Sequence, residues 1–206
     1  SNGTTAKLLL IAAVYVMVEG LYDPLTVEFF VQHLDWSAAR FATAQGTLGV
    51  TGELFGALAG GYLCDRYGRR LMAGIGMLSM ATVLLLFGAT SMFWEAAWYP
   101  HVLLLPAFKG TLAFTTVSMF SLFMKVCWTR AAATQFTLYM AMSNLGYALG
   151  AKWNSWIGLT GLDWGLAEFY LFGGALPLLS VLLLRGLDPD GIEARKQAEQ
   201  RALEPS

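Results

Sequence analysis

The sequence predicts an all-α membrane protein with six transmembrane helices, and three observations carry that prediction. Mean hydropathy is +0.54, hydrophobic residues make up 56% of the chain against 13% charged, and the apolar residues fall in long continuous runs instead of alternating. A water-soluble domain of 206 residues needs more polar surface than this to cover its core. In a bilayer a helix of about 20 mostly apolar residues satisfies its own backbone, and the absence of alternation argues against strands.

The first helix is expected from Ala6 to Val31, with Pro24 beside Asp23 removing a backbone donor and inviting a bend. The second, Ala38 to Cys64, repeats Gly52, Gly56 and Gly60 every fourth residue, and Gln45 and Gly49 continue the stripe, so a neighbouring backbone can come close. The third, Leu71 to Thr90, and the sixth, Gly165 to Leu184, are plain apolar runs. The fourth, Trp98 to Met124, encloses Lys109. The fifth, Ala131 to Ile157, has a shorter glycine pair, Gly146 and Gly150, and a polar stripe of Asn144, Tyr147 and Asn154. Residues 1–186 thus form one six-helix membrane unit and 187–206 a solvated, partly helical cytoplasmic tail. The first run is too long for a signal peptide and carries acids.

Lys7, Arg66, Arg69, Arg70, Lys125, Arg130, Arg185, Arg195, Lys196 and Arg201 share one side if both termini are cytoplasmic, with Arg40 outside. Cys64 and Cys127 then lie near cytoplasmic helix ends and are expected as free thiols. Tryptophans 36, 94, 98, 128, 156 and 164 near helix ends read as an interfacial belt. Glu28, Arg40, Lys152, His33 and His101 are peripheral.

A charge at the bilayer centre costs at least about 2.5 kcal/mol, so such residues usually line a cavity, pair or move protons. Glu19 lies twelve residues beyond Lys7, roughly 18 Å at 1.5 Å per residue, and Glu53 lies twelve residues before Asp65, a similar depth. Lys109 sits close to the centre of the fourth helix, and Asp23 one turn from Glu19 extends the site outward. Lys109 is expected to bind an anionic group of a solute while Glu19 or Glu53 pairs with it and titrates; the plainer alternative is a permanent buried ion pair. Asn144 and Tyr147 are solute hydrogen-bonders or interhelical contacts with equal support.

Between the second and third helices stands "GYLCDRYGRR", residues 61–70. Gly61 permits close helix approach, Gly68 a tight reversal, and Asp65 can meet Arg69 or a helix amino terminus, while Arg66, Arg69 and Arg70 also serve as topology determinants beside anionic headgroups. The order G-x-L-x-D-R-x-G-R-R resembles the signature loop of the major facilitator superfamily, with Cys64 where a smaller residue is commoner. That resemblance implies a six-helix half built of two three-helix repeats, with Asp65, Arg66 and Arg69 gating against a second half, and the basic tail without a seventh apolar run makes it look like the carboxyl-terminal half. It also implies that the first and fourth helices line the cavity, so Glu19 and Lys109 should face it. Residues 108–146, and "AATQFTLYMAMSNLG" above all, are similar to muropeptide permeases, peptide–acetyl-coenzyme A transporters and siderophore uptake proteins.

Metal-ligand, phosphate-loop and nucleophile–histidine motifs are missing, and a net charge of −1 gives no reason to expect nucleic acid, so an enzyme is not expected. The expected function is proton-coupled transport of a small organic solute, anionic or amphipathic, across a bacterial-type inner membrane by alternating access. No cofactor beyond a proton gradient is implied. The expected partners are the solute, the bilayer and a second six-helix half on the same polypeptide, a separate chain or a second copy. The alternative is a scaffold or assembly factor that keeps the fold without transport.

Overall fold

The computed structural model describes residues 2–95, 99–127, 131–160 and 164–187, together with 191 and 194. Trp98, Trp128, Arg130, Arg195, Lys196 and Arg201, the side chains of His101 and Asn154, and most of the expected tail lie outside the described residues.

Seven α-helices are present among the described residues. α1 (Asn2–Val27) runs past Pro24 into a π-helical turn, Glu28–His33. α2 (Ala38–Ala44) starts where the Ser37 side chain accepts from the Arg40 amide at 3.2 Å, which satisfies one of the amides a helix start leaves unpaired. It continues through a second π-helical segment, Gln45–Gly49, into α3 (Val50–Tyr67), so residues 38–67 make one rod. α4 (Arg69–Ala89), α5 (Tyr99–Val126), α6 (Ala132–Leu159) and α7 (Leu166–Leu184) follow. These limits fall within a few residues of the expected runs.

Hydropathy separates them. Among the described residues, four stretches are long and apolar enough to cross a membrane: Gly3–His33, Arg69–Ala89, Leu103–Val126 and Leu166–Leu184. The described residues of the α2–α3 rod and of α6 do not reach that level, so composition there marks four of the six expected spans. Glycine stands there in place of aliphatic residues at the positions where these two rods make the closest backbone contacts.

α1 packs mainly on α6 and next on α7, α3 on α5, and α4 on α7 and α5. Exchanging the first three rods for the last three leaves this set of pairs unchanged, which is the signature of two repeated three-helix units. Glycine sets the two tightest pairs. A β-carbon at Gly52, Gly56 or Gly60 would run into the α5 backbone at Pro106, Gly110 or Phe114. One at Gly20, Gly146 or Gly150 would strike backbone across the α1–α6 seam. Gly61 is not among the close contacts: a β-carbon there meets nothing within 4 Å, since its neighbour Gly60 points at α5 instead.

Buried apolar residues form two clusters, one around Val18, Phe29, Leu84, Phe108 and Tyr170, the other around Leu8, Tyr15, Met77, Phe123 and Tyr139. Trp94 departs from the interfacial role expected of it. It is 5% exposed, lies among Phe29, Phe87 and Tyr170, and donates through Nε1 to the Phe87 carbonyl at 3.1 Å. Cys64 and Cys127 are buried thiols not joined in a disulfide, and Cys64 Sγ lies 3.2 Å from Ser118 Oγ, so the unusual residue of the loop motif packs on α5.

The α3–α4 reversal turns on Gly68, whose φ of 94° is rarely open to residues with a side chain. Gly68→Ala is expected to destabilise by about 1–3 kcal/mol, read as a lower unfolding midpoint in detergent. An unchanged midpoint would mean that the turn relaxes without strain.

Candidate functional site

Four ionisable side chains from three helices converge inside the bundle. Glu19 and Asp23, four residues apart on α1, face α5, where Lys109 is 9% exposed at its side chain. Lys109 Nζ lies 3.2 Å from Asp23 Oδ1, 3.9 Å from Glu19 Oε1 and 4.0 Å from Glu53 Oε1. The Tyr147 hydroxyl on α6 donates to Asp23 Oδ2 at 3.0 Å. The Tyr22 ring stacks on Phe108 with centroids 3.6 Å apart and lies 6.0 Å from Lys109 Nζ, an apolar floor beneath the ammonium.

The glycine contacts explain why these groups meet. Gly52 and Gly56 bracket Glu53, and they pack on Pro106 and Gly110, which bracket Lys109. Gly20, next to Glu19, packs on the backbone of Tyr147, the residue that binds Asp23. The register that brings backbones together therefore also sets the charge cluster.

Three negative charges against one positive leave a formal −2 if all four groups are ionised. The carboxylates are less buried than the ammonium, with side-chain exposures of 30% for Glu19, 29% for Asp23 and 47% for Glu53. A cavity of about 330 Å³ opens beside them, lined by Glu53, Lys109, Gln45, Gly46 and Gly49. Its wall is partly the π-helical segment, a distortion frequent at functional sites.

Glu19, Glu53 and Lys109, expected at one depth, thus come together, but Asp23, expected only as an outward extension, is the nearest partner of Lys109. Tyr147 makes an interhelical bond. Asn144 is exposed, and among the described residues no hydrogen bond joins it to the cluster. The residues missed are Tyr22, three residues beyond Glu19 on α1, and Gln45, Gly46 and Gly49. The glycine stripe pointed to Gln45 and Gly49 as packing positions, not as a cavity wall.

At the α3–α4 turn Asp65, for which Arg69 or a helix amino terminus were the open partners, is exposed and makes no ion pair with Arg69. Arg69 instead donates to the Ser121 carbonyl at 3.3 Å, tying the turn to α5. Arg66 donates to the Tyr62 hydroxyl at 3.2 Å, and Arg70 to the Arg185 carbonyl at 2.7 Å. At this turn the arginines latch to backbone and phenol while the carboxylate stays exposed.

Long apolar helices packed at backbone distance around a polar interior define a multi-pass membrane protein. The family model of the Major Facilitator Superfamily matches residues 8–205, so the chain belongs to that superfamily, whose business is membrane transport. No curated protein and no solved structure matches the chain.

Proposed function

We propose that the protein carries a small organic solute across the membrane by alternating access, with proton uptake at the Glu19–Asp23–Glu53 cluster releasing Lys109 to bind an anionic group. The observation that carries this reading is the surplus of acid: a static ion pair needs one carboxylate, yet three lie within 4.0 Å of one ammonium. Uncompensated carboxylates are costly at membrane depth, so protons or a cationic group would be drawn to the site. Once the acids are neutral, Lys109 is the strongest remaining anchor, and the adjoining cavity gives a bound solute room.

The finer parts of this reading rest on the sequence. Six spans, with both termini in the cytoplasm of a cell inner membrane, follow the lysine and arginine distribution. A muropeptide- or siderophore-like solute follows the similarity of residues 108–146, and a second six-helix half would supply the facing wall and the groups that Asp65, Arg66 and Arg69 gate against.

The test is uptake of muropeptide fragments and siderophores into proteoliposomes under an imposed pH gradient, with internal pH recorded. Glu19→Gln and Glu53→Gln, made separately, are expected each to lower proton-linked uptake by roughly 100-fold or more, the lower end of what a lost proton-transfer group commonly costs. Full proton-linked uptake in both variants would remove the coupling. A scaffold reading draws on one observation, the Tyr147–Asp23–Lys109 chain across three helices, which is also how a fixed tie would look. A scaffold would show no solute-dependent thermal stabilisation.

A further inference from the structure

A second polar feature lies at the α3–α4 turn and shares no wall residue with the charge cluster's cavity. A cavity of about 500 Å³ has Arg69, Arg70, Lys125 and Arg185 in its walls, brought there by the α3–α4 turn and the ends of α5 and α7. No carboxylate lies within ion-pair distance of Arg69, Arg70 or Arg185 among the described residues. Arg69 and Arg70 each spend a donor on a backbone carbonyl and keep others of their five free for an anion. Gly68 supplies no side-chain cap, so the first amides of the 21-residue α4 also face this end with their partial positive charge.

The same cavity is apolar further along α4, where Leu71, Ile75 and Leu78 form an exposed stripe three and four residues apart. It adjoins a largely apolar groove of about 490 Å³ between α3, α4 and α5, and the two share Tyr67, Leu71 and Ile75 as a common wall. α4 is itself one of the helices apolar enough to span a bilayer, with its basic residues at the Arg69 end and the apolar stripe beyond them.

We propose that this composite site binds an anionic phospholipid, its phosphate held by Arg69, Arg70, Lys125 and Arg185 and an acyl chain laid over Leu71 and Ile75 into the groove. A free phosphate matches the charge but leaves the adjoining groove unexplained. Because Arg70 already ties the turn to the end of α7 and Arg69 ties it to α5, a lipid phosphate here would bridge the same elements and steady the motif. The proposal does not depend on transport.

The test is native mass spectrometry of the full chain from micelles holding equal amounts of phosphatidylglycerol and phosphatidylcholine. Each basic residue near the headgroups is worth about a fivefold preference for anionic lipid, so retained phosphatidylglycerol should exceed phosphatidylcholine at least about fivefold. Arg185→Gln combined with Lys125→Gln should bring that ratio close to one. Arg40→Gln, an equal change of charge per site on the α2 helix, should leave it unaltered. Ile75→Gln, at an exposed position where folding is not at stake, should lower phosphatidylglycerol retention even if the charge variant fails to fold. Equal retention of the two lipids, an unchanged ratio in the folded charge variant, or no effect of Ile75→Gln would overturn the site. So would displacement of the lipid by millimolar inorganic phosphate, which would mean a bare anion site.

Discussion

Lys109→Met is expected to abolish solute uptake and to lower stability by about 1–3 kcal/mol, less than the 3–5 kcal/mol typical of a fully buried pair because the carboxylates around it retain partial contact with solvent. The substitution keeps the stem that covers Tyr22 and removes only the ammonium, so what is lost is charge compensation for Glu19, Asp23 and Glu53. Adding Asp23→Asn should restore part of the stability, since it deletes the nearest uncompensated carboxylate. Uptake should not return with it, because the anion-binding group is still missing. Thermal unfolding of the single and double variants, beside proteoliposome uptake, separates the two effects. Wild-type uptake by Lys109→Met would show that the ammonium is not a solute anchor, and strict additivity of the two unfolding shifts would show that the pair is not coupled.

Gly56→Leu should be at least as damaging by a different route. The contact that a β-carbon would meet at Gly56 is the backbone of Gly110, which cannot rotate aside as a side chain can. Overpacking commonly costs about 1–3 kcal/mol, and here relief requires moving α3 away from α5 along a seam that also includes Gly52 and Gly60. Because Glu53 sits between Gly52 and Gly56, the same movement should weaken its approach to Lys109, so proton-linked uptake is expected to fall along with the unfolding midpoint. Gly61→Ala is the matched comparison. It lies on the same helix with open space around it, and should be neutral or stabilising by up to about 1 kcal/mol through helix propensity. Equal behaviour of the two variants would mean that α3 does not pack on α5 as described.

Helix positions and the depth of the interior charges were legible because both are local properties of the chain. A run such as Leu166–Leu184 announces a membrane helix by composition, and a rise of 1.5 Å per residue converts spacing into height. Height does not convey azimuth. Asp23 and Glu19 were recognisable as sharing a face of α1, yet which of them meets Lys109 more closely depends on how α1 is rotated against α5 and α6. Gly60 and Gly61 are adjacent in sequence and differ only in that rotation: one presses on Phe114, the other meets nothing within 4 Å. Trp94 misled for the same reason, since its place beside a helix end matches an interfacial anchor while the fold turns its ring inward among Phe29, Phe87 and Tyr170.

The signature loop marks the same boundary between the two kinds of information. Its residue order sufficed to point to the superfamily, because the Gly68 reversal and the arginine cluster are written in consecutive positions. Its bonds were not readable there. Arg69 and Arg70 reach carbonyls of Ser121 and Arg185, more than fifty and more than a hundred residues away, and Asp65 is left without the partner one turn on that its spacing offered. Composition, period and spacing determined by themselves that this chain is helical, belongs in a bilayer and carries buried charge, since each of these is a short-range balance between backbone hydrogen bonding and lipid. Only the tertiary structure decided which charges meet and which glycines touch, because long-range partners depend on helix rotation and register, and these are set by packing between segments remote in the chain.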